Sequence, residues 1–266
     1  MARHRPAIRR PPPRAQRREP RTLLRIAGLP AVSALFATAP ERVERLFFDD
    51  RMKLAAGGFC ARLAEAHKPY RLVKPEELER VAGTVLHGGI VAVAEPRPMP
   101  ALDPTEAARW ADEDKPLLLL DGVGNPHNLG AIARTAAFFG AKRLVLSDHP
   151  EQAMPSDASY RVAEGGLEHV AVYRATGIAD VLRRLRRSFC VLGAALERGR
   201  PLGSLTPADR PFALVLGNEE TGLPRATLAA CDEIVTIGGS GLVQSLNVSV
   251  SAGILLYALE RLVAKK

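Results

Sequence analysis

Residues 117–140 read "LLLLDGVGNPHNLGAIARTAAFFG". Four successive leucines are the pattern of a strand buried on both faces, as strands of a parallel sheet are. A Gly/Pro/Asn loop follows from Asp121 to His127, then a helix that Gly140 closes. Strand, loop and helix in this order form the unit of an α/β sheet covered by helices on both faces.

The unit recurs downstream. "KRLVLSD", "HVAVYR", "FCVLGAAL", "PFALVLGNEETG" and "EIVTIGG" read as strands, the last two running on into loops. "IADVLRRLRRS" reads as a helix, and "LVQSLNVSVSAGILLYALERL" as the mouth and body of a final one. Residues 117–266 thus form one parallel α/β domain. Residues 22–96 alternate shorter pieces: "PAVSALFATAP", "MKLAAGGFCARLAEAHK" and "PEELERVAGT" as helices, "RVERLFFDD", "YRLVK" and "GGIVAVAEP" as strands. They make a small α/β domain. Residues 97–116, rich in proline and acids, are the linker; Trp110 there is expected to pack on a domain surface.

The chain has 266 residues, enough for two domains, and 47% of them are hydrophobic. Its net charge of +8 is uneven. Residues 1–21 hold eight arginines against one glutamate, so the body is nearly neutral. This proline- and arginine-rich tail is expected to be disordered, either as a solubilising extension or as an arm for nucleic acid. Cys60, Cys190 and Cys231 are scattered, which fits neither a disulfide framework nor a zinc site but a reducing compartment, the cytoplasm. No apolar run approaches the ~18 residues of a membrane span. "LLRIAGLPAVSALFATAP" mimics a signal peptide, but Arg25 and Pro30 interrupt it, and it reads as the start of a folded domain. The arginine-rich, acid-poor beginning also fits an organelle transit peptide.

Ligands of open α/β sheets bind beyond the carboxyl ends of the strands, and three strand ends are unusual. After "LLLL", Gly122 and Gly124 begin a dinucleotide fingerprint, but the third glycine position is His127, so a Rossmann-type nucleotide enzyme is disfavoured. Asn128 is placed to cap the next helix. Arg134 falls mid-helix among alanines, near the face of Leu129 and Gly130: a solvated arginine, or a fixed cation pointing back over the loop. In "LVLGNEETGLP", Gly217 allows close approach to the backbone, and Glu219 stands in a Gly/Asn loop beside a buried strand. In "IGGSGLVQSLNVSVSAG", Gly238, Gly239 and Gly241 leave a strand, and Ser245 and Asn247 lead into a helix whose free N–H groups suit polar ligand atoms or are simply capped. His149, His169 and "RRLRR" at 183–187 read as solvated surface groups.

These three segments resemble the motifs of the SpoU (TrmH) branch of the SPOUT methyltransferases. Asn128, Gly130, Arg134 and Thr135 match the first; Gly217, Asn218, Glu219 and Gly222 the second; Ser245 to Glu260 the third. Residues 22–96 resemble the family's amino-terminal RNA-binding domain, and "YRVAEGGLEHV" with the "GNPHN" loop is most similar to its tRNA/rRNA methyltransferase-like subgroup. The resemblance implies a carboxy-terminal trefoil knot, S-adenosylmethionine as cofactor, an RNA ribose 2′-hydroxyl as acceptor, no metal, and a homodimer with its site at the interface. It implies catalytic roles for Asn128, Arg134, Glu219, Ser245 and Asn247, and a cofactor held around Leu216, Gly217, Ile237, Gly241 and Leu246. Two departures stand out. Ile237-Gly238-Gly239 replaces the family's Ile-Pro, and His87-Gly88-Gly89 its His-Gln-Gly. A rival reading is a non-catalytic, ribosome-associated RNA-binding factor that kept the fold.

Overall fold

The computed structural model describes residues 22–113, 115–196 and 199–262; the basic tail at 1–21 lies outside them. The amino-terminal part contains β1 (Leu24–Ala27), α1 (Leu29–Thr38), β2 (Val43–Phe48), α2 (Lys53–Glu65), β3 (Tyr70–Leu72), α3 (Pro75–Ala82) and β4 (Ile90–Ala94). Its sheet runs β1-β4-β2-β3, with β4 antiparallel to both neighbours and β3 parallel to β2. β1 is absent from the sequence reading. It is four residues long, with only Arg25 breaking its apolar run.

Then come α4 (Pro104–Arg109), β5 (Leu117–Asp121), α5 (Pro126–Phe138), β6 (Arg143–Ser147), α6 (Asp157–Ala163), α7 (Gly166–His169) and β7 (Ala171–Ala175). They are followed by α8 (Ile178–Leu185), β8 (Cys190–Ala194), β9 (Arg200–Pro201), β10 (Phe212–Gly217), α9 (Arg225–Ala230), β11 (Glu233–Thr236) and α10 (Val248–Leu262). The sheet order is β7-β6-β5-β10-β8-β11-β9, every pairing parallel. The leucine run does what its pattern requires. Leu118 and Leu120 enter the layer shared with α5, α6 and α10, while Leu117 and Leu119 enter the layer of α8, α9 and the buried Trp110.

The two parts share a core. Ile26, Leu35 and Phe36 of the small sheet and its helix belong to the same apolar cluster as Tyr160, Ala163 and Leu167. Around it, Arg25 pairs with Asp157 at 3.3 Å and Arg42 with Glu168 at 2.7 Å. Arg97 donates to the carbonyls of Leu167, Glu168 and Val170. Residues 100–102 hydrogen-bond to Arg174 along the β7 edge. No helix of the described residues is long and apolar enough to cross a membrane.

Candidate active site

β10 lies beside β5 with Gly217 opposite Asp121, so the loops leaving these strands share one edge. Asn218 ties them together. Its Oδ1 accepts from the backbone N–H of Glu220 and Thr221, while its Nδ2 donates to the Gly122 carbonyl at 2.9 Å and to Glu151 at 3.0 Å. Asn218 and Gly222 exchange two backbone hydrogen bonds, which folds the loop back over Gly217. A Cβ on Gly217 would lie 2.5 Å from the carbonyl carbon of Gly222. The glycine there is required by the close return of its own loop, whatever ligand approaches its backbone.

Three side chains from three segments then form a relay. Asn128 donates from Nδ2 to Glu219 Oε1 at 2.6 Å, and Asn247 donates from Nδ2 to Asn128 Oδ1 at 3.0 Å. Asn247 Oδ1 accepts from the N–H and the hydroxyl of Ser249. The orientation of every amide follows from this order. A carboxylate only accepts, so Asn128 must turn its NH2 to Glu219 and its carbonyl to Asn247. Asn247 must then turn its carbonyl to the first turn of α10, which it caps. The capping role expected of Asn128 belongs instead to Asn125, whose side chain accepts from His127 N ahead of Pro126 at the helix start. Asn128 is thereby left free to link Glu219 with Asn247.

The third loop is open. Gly238, Gly239 and Gly241 have nothing within 4 Å of a notional Cβ, and their backbone N–H groups find no partner among the described residues. Ser245 is exposed; Leu246 is 44% exposed and Leu242 89%. Free backbone donors and acceptors beside partly exposed Ile237 and Leu246 suit a flat heterocycle: polar groups for its edge, apolar ones for its face. Leu216 is buried at the end of β10.

Arg134 is not among the relay residues of its own chain. It is exposed on α5 and forms an ion pair with Glu164 at 2.9 Å. Gly130, its motif neighbour, is a packing residue: a Cβ there would collide with the Ser159 carbonyl of α6. Two supports carried no local signal in the sequence. Buried Gln152 accepts from the N–H of Gly122 and Val123 and donates to the Val123 carbonyl, fixing the loop after β5. Thr227 donates to buried Asp121 at 2.6 Å. Among the described residues no cluster of His, Cys, Asp or Glu could hold a metal ion.

Residues 115–257 match the profile of the SpoU rRNA methylase family, and residues 25–100 that of the RNA 2′-O ribose methyltransferase substrate-binding domain. The chain belongs to the SpoU family. Its SpoU relatives include the uncharacterized tRNA/rRNA methyltransferase YfiF of Escherichia coli O157:H7, 34% identical over 92% of this chain and 70% of that one. The 23S rRNA (guanosine-2′-O-)-methyltransferase RlmB of Nitrosomonas europaea is 35% identical over 87% of this chain and 89% of its own length. An AdoMet-bound rRNA methyltransferase from Sinorhizobium meliloti has the same fold at 22% identity, with a TM-score of 0.73 over 90% of this chain and 87% of that one. The relay thus joins Asn128, Glu219 and Asn247, three residues within the stretch that matches the SpoU family.

Proposed function

We propose that this chain is an S-adenosylmethionine-dependent methyltransferase acting on a ribose 2′-hydroxyl of rRNA or tRNA in the cytoplasm. Membership of the SpoU family supports the reaction class. The observation that carries the reading is the amide relay fixed at the sheet edge beside an open loop with free backbone groups. Backbone around Leu216, Gly217, Ile237 and Gly241 would hold the cofactor's polar edges, with Leu246 against its adenine. When bound, S-adenosylmethionine supplies a methyl group on a positively charged sulfur.

The chain's own residues align and stabilise. Displacement at a methyl group is in-line, so a rigid floor matters more than any single contact. The relay supplies that floor through Asn128, Glu219 and Asn247, with the Ser245 hydroxyl beside it in sequence. The ribose oxygen carries partial negative charge as it attacks. A guanidinium donating to that oxygen, or to the adjacent phosphate, stabilises it, and Arg134 takes this role.

Because Arg134 stands off the relay of its own chain, a second copy completes the site. The apolar surface left uncovered on α10 and its entry loop, with Leu242, Val243, Val250 and Tyr257 exposed, supports a homodimer through this face. The segment after β11 is assigned the family's trefoil knot. This is consistent with β10 sitting between the earlier strands β5 and β8, and with α10 packing back on α5.

Calorimetry with S-adenosylmethionine and transfer of labelled methyl to RNA from a strain lacking the gene test the reading together. Expected are saturable binding, label on ribose 2′-oxygens, and a rate about 10²- to 10³-fold lower for Arg134→Ala. Absence of cofactor binding would favour the non-catalytic RNA-binding reading instead.

A further inference from the structure

Glu164 occupies a place where a glutamate is unfavourable. It ends α6 with φ 45° and ψ 42°, the left-handed region in which a Cβ crowds the following carbonyl. Glycine or asparagine commonly stands at such a helix end. His67 is the other described non-glycine residue with positive φ, and no ion pair of the described residues involves it. The chain is held at this spot from both sides. Gly165 packs against Ala34 and Pro30 of α1, and Gly166 against the backbone of Arg134. The Glu164 carboxylate then meets the Arg134 guanidinium at 2.9 Å.

Stability does not account for the acid. Both side chains are about half exposed, and ion pairs of that kind contribute little to folding. A backbone conformation that disfavours glutamate, combined with a pair too weak to stabilise the fold, points to a role for the carboxylate other than stability. Arginine is long and visits many rotamers. One carboxylate on a fixed backbone, 2.9 Å from Nη2, selects among them, while the guanidinium, 57% exposed, still has donors that a ligand can reach. We infer that Glu164 is a positioning residue, orienting Arg134 for the acceptor ribose. This rests on the role given to Arg134 above.

The test uses the full-length protein, labelled S-adenosylmethionine, and ribosomal and transfer RNA from a strain lacking the gene. Glu164→Gly relieves the backbone and removes the carboxylate; Glu164→Gln keeps the length and removes the charge. Both are expected to lower kcat about 10- to 100-fold with the KM for S-adenosylmethionine unchanged, while Glu164→Gly melts no lower than the parent. Glu164→Gly added to Arg134→Ala is expected to lower kcat no further than Arg134→Ala alone. Parental kcat in Glu164→Gly, or a full further loss in the double variant, overturns the inference. Parental kcat in Arg134→Ala overturns the assignment of Arg134 itself, so the two failures are distinct.

Discussion

Two ion pairs reach into the same eleven-residue segment, "YRVAEGGLEHV", and differ in almost everything else. Arg42–Glu168 joins the amino-terminal part to the larger sheet's layer with side chains only 8% and 1% exposed; Arg134–Glu164 lies on the surface at 57% and 48%. Their lengths, 2.7 and 2.9 Å, are nearly equal. Burial therefore separates their consequences. A buried charge left alone is costly, whereas an exposed one is simply hydrated. The inner pair ties the two parts together inside their shared core, and the outer one leaves a guanidinium accessible to a ligand.

The largest expected effect comes from breaking the inner pair. Arg42→Ala strands the Glu168 carboxylate, whose Oε1 is already buried without a partner among the described residues. It also removes the donor to the Glu95 carbonyl. A loss of about 3–5 kcal/mol is expected in urea unfolding. Replacing both members, Arg42→Met with Glu168→Leu, should recover much of it, because no lone charge remains. Arg134→Ala measured the same way should cost less than about 1 kcal/mol. Equal losses from Arg42→Ala and Arg134→Ala would erase the distinction.

Next in size is Gly166→Ala, which attacks the outer pair from beneath. The new Cβ would lie 2.6 Å from Arg134 Cα and 2.8 Å from its nitrogen. Both are backbone atoms, so no rotamer change relieves the clash. A loss of about 1–3 kcal/mol is expected, seen as a lower Tm, together with a reduced methyl-transfer rate as α5 shifts. Unchanged activity at reduced Tm would mean that the placement of Arg134 tolerates movement of its helix.

Much of the fold was legible because burial on both faces leaves a continuous apolar run, as in Leu117–Leu120, and because glycine and proline punctuate the loops. Short elements were not. α6 and α7 have seven and four residues, separated by Glu164 and Gly165, too few for a helical period to emerge. The three motif loops were visible as loops, but not the amide order that links them, since Asn128, Glu219 and Asn247 come together only in space. Helix geometry favours Asn125 over Asn128 as the cap, because Asn125 directly precedes Pro126 at the first helical position. Glu164 could not be found at all. "EGG" announces a helix stop, yet nothing in it says that the left-handed turn begins at the glutamate, one residue ahead of Gly165.

Glu113 offers the intermediate case, and the smallest effect. Its carboxylate sits between Arg143 and Lys142, 2.7 Å from each, and Arg143 in turn lies 4.5 Å over the Trp110 ring. Hydrogen bonds from Arg143, then from Lys142, pull its pKa from the ordinary 4.5 down to about 2. A lowered folded-state value means that the stabilisation is complete above the unfolded value and disappears as pH falls through the folded one. Lys142 is well exposed, so the cluster is worth at most about 1 kcal/mol after solvent screening. The stability difference between the parent and Glu113→Gln should then be constant from pH 7 to about pH 5 and shrink toward zero near pH 2. A difference that persists to pH 2 would show that packing around Trp110, and not ionisation, makes this contact, moving it to the buried side of the contrast between the two arginines.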